Sequence, residues 1–150
     1  MSGYYIEMVE ILCIILPMIP KIELRVSREI GNEELNALIS ESWPNRTPTD
    51  WAQIIAHSLG TVTAYAGEQL VGFVNIAWDG GSHAFLLDTT VHPDFRRQGI
   101  GKSLIERAKI VAEQNRVEWL HVDFEVKNRN FYMECGFEPT GAGLIKCALI

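Results

Sequence analysis

The chain has 150 residues, of which 47% are apolar and 21% are charged, and its formal net charge is −6. This length supports one domain with a sizeable core, and the composition excludes a disordered chain. The negative charge argues against nucleic acid as a partner, because binding phosphates requires a basic face. The three cysteines form no CxxC pair and the four histidines form no HxxxH pattern. We therefore expect no metal site, no disulfide framework and a cytoplasmic location.

An apolar segment, VEILCIILPMIP, occupies residues 9–20, ahead of the rest of the chain. It is shorter than the roughly 18–20 apolar residues that cross a bilayer, so we expect no membrane span. It also lacks the basic start and the cleavage site of a secretory signal. We divide the chain into an apolar extension, residues 1–21, and one domain, residues 22–150. Three interpretations of the extension stay open: a homodimer contact, an added element on the same core, or residues upstream of a natural start near Met18.

The first part of the domain is predicted to contain one strand and two helices. Alternating side chains indicate a strand at residues 22–29. Asn32 begins a helix over residues 32–43, where leucine and isoleucine recur at helical spacing. Thr49 caps a second helix over residues 50–59, with Trp51 on its apolar face.

The rest of the domain alternates strands and helices. A hairpin joins strands at residues 61–66 and 69–78 through a turn at Gly67, and a third strand follows at residues 83–91. That third strand is nearly all apolar, which favours a central position covered on both faces. A helix at 102–114, a strand at 117–126, a short helix at 128–135 ending before Gly136, and a last strand at 144–150 complete the order. This order predicts an α/β or α+β sandwich with a mixed sheet and a right-handed parallel crossover from residue 83 to residue 126.

The stretch RRQGIGKSL, residues 96–104, lies where the third strand passes into a helix. Amides in the first turn of a helix lack partners within it, and the helix dipole favours an anion there. Gly99 and Gly101 would let the backbone approach a phosphate, and basic side chains surround them. A P-loop does not fit, because Arg96 stands where its first glycine belongs. The dinucleotide fingerprint does not fit either, because Leu104 replaces its third glycine.

A third motif does fit this stretch. VHPDFRRQGIGKSL resembles motif A of the GCN5-related N-acetyltransferase superfamily, R/Q-x-x-G-x-G/A, with Val91 and Pro93 in the preceding strand end and turn. Downstream, NFYMECGFEP resembles that family's motif B, F-Y-x-x-x-G-F, with Tyr132 and Gly136 in place. The element order matches the family from residue 22 to residue 150. The resemblance implies an acyl-CoA N-acyltransferase fold, a mixed and mostly antiparallel sheet with helices on both faces, and acetyl-CoA as donor.

The resemblance also implies where the coenzyme lies. Main-chain amides of residues 97–102 would hold the CoA diphosphate, and the pantetheine arm would run along residues 89–91 into a splay between that strand and the next. Pantetheine carries two amides that can pair with a strand's free backbone groups. The expected cofactor-binding residues are Thr89, Thr90, Val91, Arg96, Arg97, Gln98, Gly99, Ile100, Gly101, Lys102 and Ser103.

Acetyl transfer to an amine requires a neutral amine, a polarised thioester and a proton for the leaving thiolate, and it needs no covalent enzyme intermediate. Tyr132 is the expected general acid, because the resemblance places its hydroxyl at the CoA sulfur and a phenol with a pKa near 10 is protonated at neutral pH. The general base stays open. Positions that carry it in some relatives are Phe85 and Leu87 here, which cannot act. The remaining candidates are Asp88, whose burial could raise its pKa, and three polar residues that alternate on the next strand, His121, Asp123 and Glu125.

Acceptor specificity in this family comes largely from the first two helices and their loop, here residues 41–51. Trp43 and Trp51 could cover a small apolar or aromatic amine, or belong to the core. Acidic residues beside His121 suit a cationic amine, and we expect Trp43, His121 and Asp123 to contact the acceptor. The expected function is acetyl transfer from acetyl-CoA to a primary amine of a small molecule or peptide. The alternative is a non-catalytic acyl-CoA-binding sensor of the same fold.

Overall fold

The computed structural model describes residues 20–27 and 29–147. The interpretations of the apolar extension fall almost wholly outside these residues. The regular elements, in chain order, are β1 Ile22–Ser27, α1 Asn32–Ser42, α2 Trp51–Ile55, β2 Ser58–Ala66, β3 Gln69–Trp78, β4 His83–Val91, α3 Ile100–Gln114, β5 Trp119–Val122 and α4 Arg129–Glu134. Single turns of 3-10 helix precede α3 at Pro93–Phe95 and α4 at Val126–Asn128.

The strands form one five-stranded sheet in the order β1-β2-β3-β4-β5. All neighbours are antiparallel except β4 and β5, which are parallel and joined through α3. The predicted mixed, mostly antiparallel sheet and its parallel crossover are therefore confirmed.

Helices cover both faces of the sheet, as expected. On one face, α1 and α2 bury Leu35, Leu38 and Trp51 against Phe73 of β3. On the other face, α3 buries an aliphatic stripe against inward residues of β2, β3 and β4. The stripe consists of Ile100, Leu104, Ile105, Ala108 and Val111. Burial of these two apolar layers is the main force that holds the sandwich together.

Four local predictions differ from the structure. The second helix ends at Ile55 rather than at residue 59, because Ser58 and Leu59 are buried in β2, where Ser58 pairs with Ala77 of β3. The strand predicted at 117–126 is only Trp119–Val122. Residues 144–147 of the predicted last strand have no regular structure, and residues 148–150 lie outside the described part. Finally, one face of β4 is open to solvent at Phe85 and Leu87, which are each 40% exposed, and is covered only farther along, at Thr90.

The first turn of α3 packs unusually close to the sheet at Gly72 of β3. A Cβ atom added at Gly72 would lie 3.0 Å from Leu104 Cδ1 and 3.1 Å from Ile100 Cγ2. We expect Gly72→Ala to lower the free energy of unfolding by about 1–3 kcal/mol, because the helix must shift away from the strand. Gly60→Ala on β2 is the matched control, since its Cβ would meet only Val111 Cγ1 at 4.0 Å. Urea unfolding of both variants checks this, and equal stabilities would contradict the close-packing argument.

Candidate active site

The strands β4 and β5 separate halfway along β4 and leave a wedge between them. Their pairing runs from His83–Trp119 to Leu86–Val122, while β4 continues to Val91. A cavity of about 230 Å³ opens at this point. It is lined by Leu86, Leu87, Asp88 and Thr89 from β4, by Asp123, Phe124, Glu125 and Asn128 from the chain after β5, by Tyr132 of α4, and by Trp43 and Arg46 from the segment after α1. The splay expected between these two strands is therefore present.

A β-bulge in β4 lies at the mouth of the wedge. Leu87 pairs with Asn75 and Thr90 pairs with Phe73, so Asp88 and Thr89 together face the single residue Val74 of β3. Asp88 takes a positive φ of 54°. A bulge bends its strand and changes where the side chains point. Asp88 and Thr89, the two residues of the bulge, both line the cavity.

The glycine-rich loop between β4 and α3 presents unpaired amides. Arg97 and Gly99 adopt positive φ values of 63° and 82°. The amides of residues 97–102 have no hydrogen-bond partner in the described part of the chain, and the first paired amide of α3 is Ser103, which donates to the Gly99 carbonyl at 3.0 Å. Amides exposed at a left-handed turn and a helix start form an anion-binding concavity.

Glycine is required at the two loop positions, 99 and 101, for different structural reasons. Gly99 combines its positive φ with open space around the position of a Cβ. At Gly101, a Cβ would lie 3.2 Å from the Phe131 ring of α4. The sequence predicts phosphate approach at both positions, but Gly101 is required by the packing of α4 against α3.

The basic and polar residues of the loop divide between structural contacts and solvent. Arg96 donates from Nε to the Val91 carbonyl at 3.1 Å, so its guanidinium ties the loop back to the end of β4. Gln98 donates to the Asp94 carbonyl at 3.3 Å. Arg97 and Lys102 are exposed, Ser103 is half-buried, and the Ile100 side chain is part of the core. The loop therefore offers main-chain amides with two free cations beside them.

Tyr132 lines the cavity and is 7% exposed. Its ring stacks on Phe124 at 5.1 Å and meets Phe131 and Phe137 edge-on. Burial raises the pKa of this phenol above its ordinary value, while the neighbouring Thr89 hydroxyl opposes part of the rise. The two hydroxyls are not in good hydrogen-bonding geometry, since the buried Thr89 Oγ1 has no partner among the described residues. The phenol thus keeps its proton and is free to donate it.

The candidate bases have unequal surroundings. Asp88 is not the isolated carboxyl that the sequence suggests, because its Oδ1 pairs with Arg46 Nη2 at 3.0 Å. Glu125 is exposed and pairs with Lys127 at 2.8 Å. Asp123 is exposed and lines the cavity.

His121 lies outside the cavity lining, lower on the sheet. Its Nε2 is 2.8 Å from His83 Nδ1, and its ring stacks on Phe85 at 4.5 Å. The predicted alternation of β5 is present, since Leu120, Val122 and Phe124 pack against the α3 core. The imidazole is therefore placed beside the histidine of β4 rather than beside Tyr132.

The two tryptophans have different roles. Trp51 is fully buried, meets Phe73 edge-on at 5.7 Å and donates to Asn36, so it belongs to the core. Trp43 is 37% exposed and forms one wall of the cavity. Its indole Nε1 donates to Thr90 Oγ1 at 3.0 Å, so the Thr90 side chain faces the tryptophan.

Sequence reasoning missed a series of contacts that the last turn of α1 and the segment after it make with β4 and its loop. They are Glu41–His92, Ser42–Arg96, Trp43–Thr90 and Arg46–Asp88. The only sequence signal for these contacts is the polar run at residues 41–46. That run does not reveal the partner residues, which lie 42–54 positions farther along the chain. These contacts join the end of α1 and the segment after it to β4 and the glycine-rich loop.

Comparisons with known proteins agree with this fold. The family model for "Acetyltransferase (GNAT) family" matches residues 28–137, and the chain belongs to that family. An uncharacterised N-acetyltransferase, ycf52, of Pyropia yezoensis is 32% identical over 78 residues, which cover 51% of this chain and 45% of that relative. The chain thus spans less than half the length of this curated relative.

Solved structures show the same architecture. The GNAT family protein SP0256 from Streptococcus pneumoniae TIGR4 superposes with a TM-score of 0.72 at 28% identity, covering 84% of this chain and 98% of that one. Aminoglycoside acetyltransferase AAC(6')-Iy, bound to a bisubstrate analogue of CoA and acetylneamine, superposes with a TM-score of 0.69 at 18% identity, covering 87% and 99%. The fold predicted from the two motifs is confirmed.

Proposed function

We propose that this protein transfers the acetyl group of acetyl-CoA to a primary amine of a small molecule or peptide by direct attack. The observation that carries the proposal is the row of unpaired amides at residues 97–102, which follows the end of β4, the strand that forms one side of the cavity lined by Tyr132. This arrangement supports a path for the coenzyme from an anion-binding loop, along a strand edge, to a proton donor. Family membership and the CoA-based ligand of the superposed acetyltransferase support the same choice.

In this proposal the diphosphate of CoA accepts hydrogen bonds from the amides of residues 97–102, with Arg97 and Lys102 beside it. The pantetheine arm enters the wedge, where β4 beyond Leu86 has no β5 partner in the described part of the sheet. Residues 89–91 then offer main-chain groups to the pantetheine amides. The thioester reaches the cavity beside Thr89 and Tyr132.

The chemistry balances without a covalent enzyme intermediate. A neutral amine attacks the thioester carbonyl carbon, and a carbon–nitrogen bond forms. The carbon–sulfur bond breaks as the tetrahedral intermediate collapses. The leaving sulfur takes the proton of Tyr132, and the amine's surplus proton leaves through a base or water. Asp88, Glu125 and Asp123 are the carboxylates near enough to the cavity to serve as that base.

A CoA-release assay tests the proposal with polyamines, aminoglycosides, aralkylamines and peptides as acceptors. We expect thiol release that depends on at least one amine class, together with acetyl-CoA binding measured by calorimetry. Binding without turnover on any acceptor would instead favour the acyl-CoA sensor. A protein that does not bind acetyl-CoA would contradict both the acetyltransferase and the sensor. A homodimer and a cytoplasmic location stay predictions.

A further inference from the structure

One ion pair, between Arg46 and Asp88, lies in the lining of the cavity. Arg46 reaches across from the segment after α1, and its Nη2 lies 3.0 Å from Asp88 Oδ1. The Asp88 side chain is only 19% exposed, whereas that of Arg46 is 43% exposed. The carboxylate is therefore held at the cavity wall by the β-bulge, while the guanidinium is a long side chain that solvent reaches.

The charges around the cavity are unbalanced without Arg46. Asp88, Asp123 and Glu125 all line it, and Arg46 is the one basic residue of the lining in the described structure. Lys127 pairs with Glu125 at 2.8 Å but does not line the cavity. Removal of the guanidinium would thus leave a partly buried carboxylate without a countercharge, and such a group requires a cation.

The Arg46–Asp88 pair is easy to replace. The guanidinium of Arg46 is open to solvent, and ordering this long side chain offsets part of its attraction to the carboxylate. A cationic ligand that binds Asp88 would displace the Arg46 guanidinium into solvent. The ligand would form an ion pair with a carboxylate that is shielded from water, and charge attraction is stronger in such surroundings.

We infer, on the basis of the proposed function, that the acceptor is an amine with a second positive charge and that this charge binds Asp88 in place of Arg46. The reacting nitrogen must be neutral to attack, so the Asp88 carboxylate binds the other nitrogen, and Asp123 and Glu125 are then the carboxylates left to act as the base. Trp43 lines the same side of the cavity and offers its indole to the alkyl chain between the nitrogens. Arg46 and Asp88 are specificity-determining residues, and the acceptor class is diamines and longer polyamines.

A set of matched four-carbon acceptors tests this inference: 1,4-diaminobutane, butylamine and 4-aminobutyrate. We expect kcat/KM for the diamine to exceed that for butylamine by about tenfold or more, because butylamine leaves Asp88 unused. The carboxylate of 4-aminobutyrate should make it the poorest acceptor of the three. Calorimetric titration of the diamine into the CoA-bound protein gives a second readout that does not depend on turnover.

Single substitutions distinguish the roles of Arg46 and Asp88. Arg46→Gln removes the competing cation, so the KM for the diamine should fall severalfold while the KM for butylamine is unchanged. Asp88→Asn should remove the difference between diamine and butylamine in both binding and KM. Arg25→Gln is the control, because Arg25 forms a similar ion pair with Glu23 on β1, away from the cavity. Its acceptor preference should match that of the unchanged protein.

The outcomes distinguish this inference from the proposed function. Acetylation of all three acceptors without preference for the diamine overturns the inference alone. A preference for 4-aminobutyrate that disappears in Arg46→Gln also overturns it, since Arg46 would then recognise a carboxylate. CoA binding with no turnover of any amine overturns the proposed function, and failure of the diamine to bind the CoA complex then overturns the inference independently.

Discussion

Replacing Gly99 with valine should weaken CoA binding by about 100-fold or more while the chain still folds. Gly99 has a φ of 82° and no atoms near a Cβ position, so the obstacle is backbone conformation rather than space. A β-branched residue avoids this region at a cost of about 1–3 kcal/mol, and the loop should relax to another conformation. Relaxation turns the amides of residues 97–102 away from a common point. Loss of two charge-assisted hydrogen bonds, about 1.5–3 kcal/mol each, gives the stated change in affinity.

Gly80→Val is the matched control for this experiment. Gly80 lies in the turn between β3 and β4, with the same φ of 82° and equally open surroundings. The two variants should lose similar stability in urea unfolding, because the backbone strain is the same. Isothermal titration with CoA should separate them, with a large loss of affinity for Gly99→Val only. Unchanged affinity in Gly99→Val would show that the amides of this loop do not hold the diphosphate.

Replacing Tyr132 with phenylalanine should reduce kcat by about 100-fold, the lower end of what a positioned general acid contributes. The ring contacts with Phe124, Phe131 and Phe137 persist in the variant, and the phenol has no hydrogen-bond acceptor to lose in the described structure. Stability should therefore change by less than about 0.5 kcal/mol, and the Kd for CoA should be unchanged. Fixed-time activity assays measure kcat, calorimetric titration measures the Kd for CoA, and urea unfolding measures the stability of the same preparation.

The pH dependence of kcat tests the same role. Burial raises the pKa of Tyr132, and an acid must be protonated to act, so activity should persist to a higher pH than a solvated phenol with a pKa of about 10 would allow. The alkaline decline due to Tyr132 should disappear in Tyr132→Phe.

Tyr65→Phe supplies a matched control, since Tyr65 is also a buried phenol with a raised pKa, bonded to Glu34 at 3.0 Å. That variant should lose about 1 kcal/mol of stability and keep its kcat. Equal kcat values for Tyr132→Phe and the unchanged protein would exclude Tyr132 as the acid.

Local patterns predicted most of the fold correctly. The bounds of β3 and β4 agree with the alternation and turn signals, because turn residues at Gly67 and at 79–81 end the strands on either side. The helix after the loop agrees because its apolar stripe repeats every three to four residues. The predicted bounds are wrong where a strand's end depends on its pairing partner. The strand β2 begins at Ser58 because Ser58 pairs with Ala77 of β3, and β5 ends at Val122, the last residue that pairs with β4.

The candidate site likewise has one part that local sequence predicts and another that tertiary contacts decide. The sequence alone located the loop, Tyr132 and the family, because loop amides and a helix start are built from consecutive residues. Only the tertiary structure assigned Trp51 to the core and Trp43 to the cavity, set His121 beside His83, and paired Asp88 with Arg46. Those outcomes depend on the bulge in β4 and on contacts between residues distant in sequence, and no local spacing encodes which distant side chain will meet another.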